Sequence, residues 1–488
     1  MKKRILTLVA ALAAAALLAA CGDKTPAVTT TDTSAEDTSV TDAETLGIPE
    51  TADYGGEAFN ILSAGNVAYA DFTADENAST PLDSAQYRRK ALVEQNYGVK
   101  IAETVEKAYS SGGGPGYKRL STDANAGDCN FDLALVAGYD VTVLAYSDYL
   151  YDLASIPGID LSKSWWDKRA NESLAVRGVM FFTTGEITVS DNNVAFVILF
   201  NKELRKAYDL NDPYSLVYDG EWTLDTFGAL CKTVTEDLDQ NGVMDANDRF
   251  GVLVWDDSVV GIVNAAGQRC CTIAEDGTIG LTLYNETTLA ALDKYFSIIY
   301  DTQYALTYQR EKVDPLEMWQ ADKGLFWMNT MDRIPQLRGM ESDFGILPYP
   351  KLNAEQQDYC TTVAPYNSQF VCVPLIQKDI ERTGIITEAL AYYGEKIVTP
   401  AYYDVNLVGQ STRDEESADM LEIIFDNLVF DIGYYYQVGP YNKQLIRMVQ
   451  ERDTNFTSMY DSYKTSAERL LTVINTYYAK AVSGWEKQ

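Results

Sequence analysis

Residues 179–204 read VMFFTTGEITVSDNNVAFVILFNKEL, two apolar runs separated by the hydrophilic break VSDNN. The second run, VAFVILF, is almost continuously apolar, which is the pattern of a strand buried on both faces.

Upstream of the break, short apolar strands alternate with helical stretches. AFNILS (58–63) reads as a strand, DSAQYRRKALVEQNYG (83–98) as a helix, VKIAET (99–104) as a strand, and FDLALVAG (131–138) as the next. That alternation predicts an α/β lobe built on a mainly parallel sheet. The glycine-rich SSGGGPGYKR lacks the Lys-Ser/Thr of a phosphate cradle and reads as a turn into a short helix. Downstream, GEWTLDTFGALC places Thr223 as an N-cap, with Trp222 and Phe227 at the spacing of a hydrophobic staple. Trp222 therefore has a structural role. GLFWMN (324–329), FGILPYP (344–350) and QFVCVPL (369–375) are further short strands, and from Lys378 onward the pattern is almost wholly helical.

The chain begins MKKRILTLVAALAAAALLAAC: basic residues, an apolar run too short for a bilayer span, then small residues before Cys21. LAAC resembles a bacterial lipobox, which implies lipidation at Cys21 after removal of a signal peptide, residues 1–20. Residues 22–53 contain no aromatic side chain and are rich in Thr, Ser, Ala and Asp. Such a segment buries too little apolar surface to offset its ordering entropy, so 21–53 is expected to be a disordered tether, with a reach of roughly 30 Å.

The net charge of −32, from 39 basic and 71 acidic residues, excludes nucleic acid as a partner. Histidine is absent, which removes the commonest general base and transition-metal ligand. Adjacent Asp256 and Asp257 are expected to point to opposite sides of their segment and so make no glycosidase pair. Cys129, Cys231, Cys270, Cys271, Cys360 and Cys372 show no zinc-type spacing and read mostly as buried thiols of undetermined pairing.

The order of landmarks is lipobox, polar tether, α/β segments, FGVLVW (250–255) with AAG (265–267) soon after, then GLFWMN and DFGILPYPK (343–351). With the FFTTGEITVSDNN…LFNKEL crossing, it resembles the solute-binding lipoproteins of bacterial ABC importers, the family of the maltose- and oligosaccharide-binding proteins. The resemblance implies a two-lobed α/β fold of the periplasmic-binding-protein type (type II), with mainly parallel sheets flanked by helices and a ligand cleft between lobes. It implies a first lobe of 54–190 plus 328–368 and a second of 191–327 plus 369–488. It also implies a non-enzymatic monomer on the outer face of the cell membrane, held only by its lipid, that delivers an oligosaccharide to permease subunits. A peptide or other polar solute is the alternative ligand, and an anchored carbohydrate-active enzyme the alternative function.

By location in that pattern the cleft residues are Asn66, Tyr139, Asp140, Asp191, Asn193, Trp255, Asp256, Trp327 and Asn329, with Asp257 beside them. Aromatic faces stack on sugar rings, while carboxylates and amides bond the hydroxyls. Trp165 and Trp166 cannot both face one core, so one of them is expected at the cleft or over a helix.

Residues 237–248, DLDQNGVMDAND, carry oxygen ligands at the spacing of a calcium loop: Asp237, Asp239, Asn241, the Val243 carbonyl, Asp245 and Asp248, with Gly242 at the turn. Asp stands where a calcium loop ends in Glu. A helix is expected to enter and the strand FGVLVW to leave, so Ca²⁺ would act as a structural clip rather than a sensor.

Overall fold

Thr80 accepts a hydrogen bond from the Asp83 amide, and Pro81 fits the first turn that follows, where its missing N–H costs nothing. At the far end Gly98, at φ 60, closes the same helix through the Glu94 carbonyl. These two signals set α1 (Pro81–Tyr97) between β1 (Glu57–Gly65) and β2 (Val99–Lys107) in the computed structural model, which describes residues 45–67, 70–77, 80–337, 339–403 and 415–485. Next come α2 (Pro115–Ala126), β3 (Leu133–Ala137) and α3 (Gly138–Ala145). β1 pairs in parallel with both β2 and β3, so the first lobe is an α/β body in which helices cross over between parallel strands.

The second lobe is built from β4 (Phe196–Asn201), α4 (Leu224–Cys231), β5 (Phe250–Val254), α5 (Ser258–Ala265), α6 (Glu286–Ile299), β6 (Ala305–Thr307), β7 (Gly324–Thr330) and β8 (Phe344–Leu347). Its sheet runs β8-β4-β7-β5-β6 and is mixed: β5 is parallel to β6 and β7, whereas β4 is antiparallel to β7 and β8. The N-cap of α4 is Thr223, and the Trp222 and Phe227 rings meet edge-on at 5.8 Å.

The lobe boundaries differ from expectation. The chain does not return to the first lobe at 328, because β7 stays paired with β4 as far as Thr330, and β8 then adds to the other side of β4. Leaving at 328 would strand those buried backbone groups. The return comes at 363–368. β9 (Gln369–Cys372), expected in the second lobe, pairs antiparallel with β3 and completes the first sheet in the order β9-β3-β1-β2. The outward and return crossings run side by side, with Thr183 and Val371 exchanging backbone hydrogen bonds and Ala364 N–H donating to the Val194 carbonyl. α7 (Ile380–Tyr393) packs on α1 in the first lobe, whereas α8 (Glu415–Phe425) covers β8 in the second. α9 (Tyr441–Glu451) lies against α5, and the long α10 (Phe456–Trp485) against α9.

The expected signal peptide and the expected lipidation site, Cys21, lie outside the described residues. The end of the expected tether is ordered: Ala52 N–H donates to the Asn96 carbonyl, and the Tyr97 hydroxyl donates to that of Pro49. Leu46 and Ile48 supply the apolar contacts that a composition average over 22–53 hides. The six described cysteines are unpaired. Trp165 and Trp166 are both buried and share one core, contrary to expectation, although Trp165 lies over a helix as expected, edge-on to Tyr392 of α7 at 5.2 Å. Glu388 of α7 sits between them and accepts both indole N–H groups, at 2.9 Å each, so one core holds both rings.

Candidate functional site

In open α/β sheets, ligands bind beyond the carboxyl ends of the strands. Here the ends of β1 and β3 in the first lobe and of β5 in the second converge on the return crossing. Asn66, just past β1, donates from its amide to the Asn367 side chain at 2.8 Å. Past β3, the Pro365 carbonyl lies so close to Gly138 that a Cβ there would be 2.5 Å from it. That approach carries Tyr366 in beside Tyr139, with ring centroids 6.4 Å apart. Past β5, Trp255 meets the same Tyr366 edge-on at 6.4 Å and rests on Phe196 at 4.9 Å. Tyr366 thus touches an aromatic ring from each lobe.

Two carboxyl groups complete the cluster. Asp257 receives the Tyr366 hydroxyl and is also hydrogen-bonded to Asp256. The expectation that these neighbours diverge fails, because they sit in the turn between β5 and α5 rather than in a strand. Asp256 is buried. Its backbone N–H donates to Gln309, its Oδ2 accepts the Gln450 amide at 2.5 Å, and its Oδ1 has no donor. Burial and then the Asp256 charge push Asp257 up to about 8, against the opposing Tyr366 bond. Burial also holds the Tyr139 and Tyr366 hydroxyls well above the ordinary phenol value.

Of the expected site residues, Asn66, Tyr139, Trp255 and Asp256 come together here. Asp140 does not. It is fully buried and is spent on the start of α2, accepting the Ser110 hydroxyl and the Gly114 and Tyr117 amides. Asp191 lies within the outward crossing, accepting from Thr184 and the Asn192 amide, and Asn193 accepts from the Tyr402 hydroxyl. Trp327 is buried against Trp319 at 5.7 Å. Asn329 stands one layer behind the site, donating to the Tyr308 hydroxyl at 3.2 Å. The sequence reading missed Tyr366 and Asn367, which lie in the hinge segment PYNS (365–368). The polar-aromatic composition of that hinge was the available signal. Asn442, whose amide donates to the Tyr139 hydroxyl, carries no local signal at all.

In the acidic loop, carboxylate oxygens of Asp237, Asp239 and Asp248 lie within 4.8 Å of one another. Asp245 is not part of that group. Its carboxylate accepts the Asn247 amide. Asp248 is fully buried and accepts the Leu238 and Asp245 amides. The expected entering helix stops at Cys231, and the loop is instead closed by backbone pairing of Glu236 with Arg249.

No protein-family model and no curated protein matches the sequence. Solved structures do. The cyclic α-maltosyl-1,6-maltose binding protein from Arthrobacter globiformis is 12% identical at a TM-score of 0.58, over 86% of this chain and 99% of that one. The galacto-N-biose/lacto-N-biose I-binding protein of a Bifidobacterium longum ABC transporter is 14% identical at 0.57, over 87% and 99%. ABC substrate-binding protein Lmo0181 from Listeria monocytogenes, in complex with cycloalternan, is 13% identical at 0.55, over 86% and 99%. The chain has the two-lobed fold of these binding proteins along nearly their whole length.

Proposed function

We propose that this protein is the substrate-binding component of an ABC importer, capturing an oligosaccharide between its lobes and handing it to permease subunits. The observation that carries the reading is Tyr366. It comes from the crossing segment, touches Tyr139 of one lobe and Trp255 of the other, and bonds Asp257 at the same point. Aromatic faces beside carboxylates and amides match the two surfaces of a sugar. The similar structures named above are a cyclic α-maltosyl-1,6-maltose binding protein, a galacto-N-biose/lacto-N-biose I-binding protein and a complex with cycloalternan, which supports the same ligand class. Hydrolysis is disfavoured by geometry: Asp256 and Asp257 are in hydrogen-bond contact, whereas glycosidase carboxyls stand roughly 5–9.5 Å apart. Thermal shift against an oligosaccharide panel, with product analysis, tests the reading. A melting temperature that rises with sugar concentration and leaves the sugar intact is expected. Turnover at enzymatic rates would overturn it.

The monomer is held to the outer membrane face by lipid on Cys21. Changing Cys21→Ser is expected to move it to the soluble fraction, and continued membrane association would refute the anchor. Among the described residues no helix is long and apolar enough to cross a membrane.

Ca²⁺ at Asp237, Asp239 and Asp248 is the further part of the proposal. A divalent ion would cancel repulsion among these carboxylates and brace the start of β5, the strand that ends at Trp255. Chelator is expected to lower the melting temperature, with calcium restoring it and magnesium doing so only weakly. Asp237→Ala with Asp239→Ala should erase the difference, and indifference of the parent protein to chelator would remove calcium from the account.

A further inference from the structure

The Asp256–Asp257 pair is more acidic chemistry than a neutral sugar needs. Two carboxyls in contact cannot both stay ionised without a nearby positive charge. Among the described residues no lysine or arginine forms an ion pair with either one, and every charged neighbour that acts on Asp257 is an acid. Tyr109 and Tyr139 from the first lobe, Tyr366 from the crossing, and Tyr308 and Tyr349 from the second lobe all feel the Asp257 charge. Lys443 stands 5.8 Å from the Tyr139 ring and pairs with neither aspartate. A second observation points the same way. Asp256 is only 2% exposed, yet its Oδ1 has no donor. The cluster therefore combines a buried acceptor with no donor and a second carboxyl beside it, with no basic partner for either. Buried oxygen acceptors left without a cation are the chemistry that holds an ammonium group.

Resting on the reading of this cleft as an oligosaccharide site, we propose that Asp256 and Asp257 select a ligand bearing an amino group, a cationic amino sugar. The free pair shares one proton. The ligand ammonium takes the place of that proton between the two carboxylates, and the proton leaves to solvent. A neutral sugar binds the singly protonated pair and releases nothing. A bridging metal ion fits less well, because the pair brings two carboxyls and tyrosine rings where a hard cation takes six to eight oxygens.

Titration calorimetry at pH 6.5, in two buffers of different ionisation enthalpy, tests this on the full mature chain. The probes are β-1,4-linked glucosamine di- to tetrasaccharides, the glucose oligosaccharides of the same linkage and length, and malto-oligosaccharides. The glucosamine series is expected to bind at least tenfold tighter than its glucose counterpart and to release about one proton per ligand. Asp257→Asn should abolish both the preference and the release, and Asp256→Asn should reduce the preference, with far-UV circular dichroism confirming that each variant folds. Neutral sugars binding as tightly as amino sugars, without proton release, would overturn the inference and leave the oligosaccharide reading standing. Proton release that persists in Asp257→Asn would remove the pair from it. If no probe of any series binds, the cleft reading itself falls, and the inference with it.

Discussion

Tyr366→Ala is expected to weaken ligand binding by roughly 30- to 1,000-fold, the range of about 2–4 kcal/mol for truncating a central aromatic anchor. The size follows from what the ring holds. It packs at 6.4 Å against Tyr139 and at 6.4 Å against Trp255, so its removal breaks an aromatic contact shared by both lobes. It also leaves Asp257 without its hydroxyl donor. Tyr366→Phe separates the two parts. It keeps the rings and loses the hydroxyl, and is expected to cost at most about tenfold, the value of one ordinary hydrogen bond. Calorimetry on the variants, with tryptophan fluorescence reporting on Trp255, makes the measurement. Binding of the alanine variant within threefold of the parent would show that the ligand sits elsewhere.

The strand-to-helix alternation of the first lobe was legible because each strand carries its own apolar run and each helix its own caps. Thr80 and Gly98 bound α1 by local chemistry alone. The lobe to which β9 belongs was not legible. QFVCVPL reads as a buried strand in either sheet, and only its non-local pairing with β3 decides. The same contrast divides the site. Asn66, Tyr139, Trp255 and Asp256 lie together because each follows a strand end that converges on the return crossing. Asp140 occupies the same kind of position, yet α2 takes its carboxylate as a cap. A polar side chain at a strand end can bond a ligand or a backbone amide, and one sequence does not distinguish them. Trp165 and Trp166 failed for a related reason: the buried Glu388 that reconciles them lies more than 200 residues away.

Acidification from pH 8 to pH 5 is expected to stabilise the folded protein, against the ordinary tendency of carboxylate-paired proteins. The cause is a set of buried carboxyls that the fold holds protonated. Glu186 lies in the outward crossing, and burial, with the Glu395 and Asp167 charges adding to it, pushes its carboxyl up to about 7 despite the bond from Thr399. Glu388, between the two tryptophans, is pushed up to about 7, again by burial first. Asp191 is raised well above the usual carboxylate range by the same cause. For a carboxyl whose folded value exceeds its unfolded one, stability is fully present below the unfolded value, near 4.5 for Glu, and is lost as pH rises through the folded value. For Glu186 and Glu388 the window is therefore roughly pH 4.5 to 7, with a contribution on the order of 3 kcal/mol each. Protonation also relieves the self-repulsion of a chain with net charge −32. Thermal melts of the unliganded protein at fixed ionic strength check the direction, which is a melting temperature that falls steadily from pH 5 to pH 8. Glu186→Gln isolates one contributor. The amide keeps an oxygen for the Thr399 hydroxyl and never ionises, so the variant should show a flatter profile and exceed the parent in stability at pH 8. A parent protein whose melting temperature rises from pH 5 to pH 8, or a glutamine variant that follows the parent profile, would show that these carboxyls are ionised in the folded state.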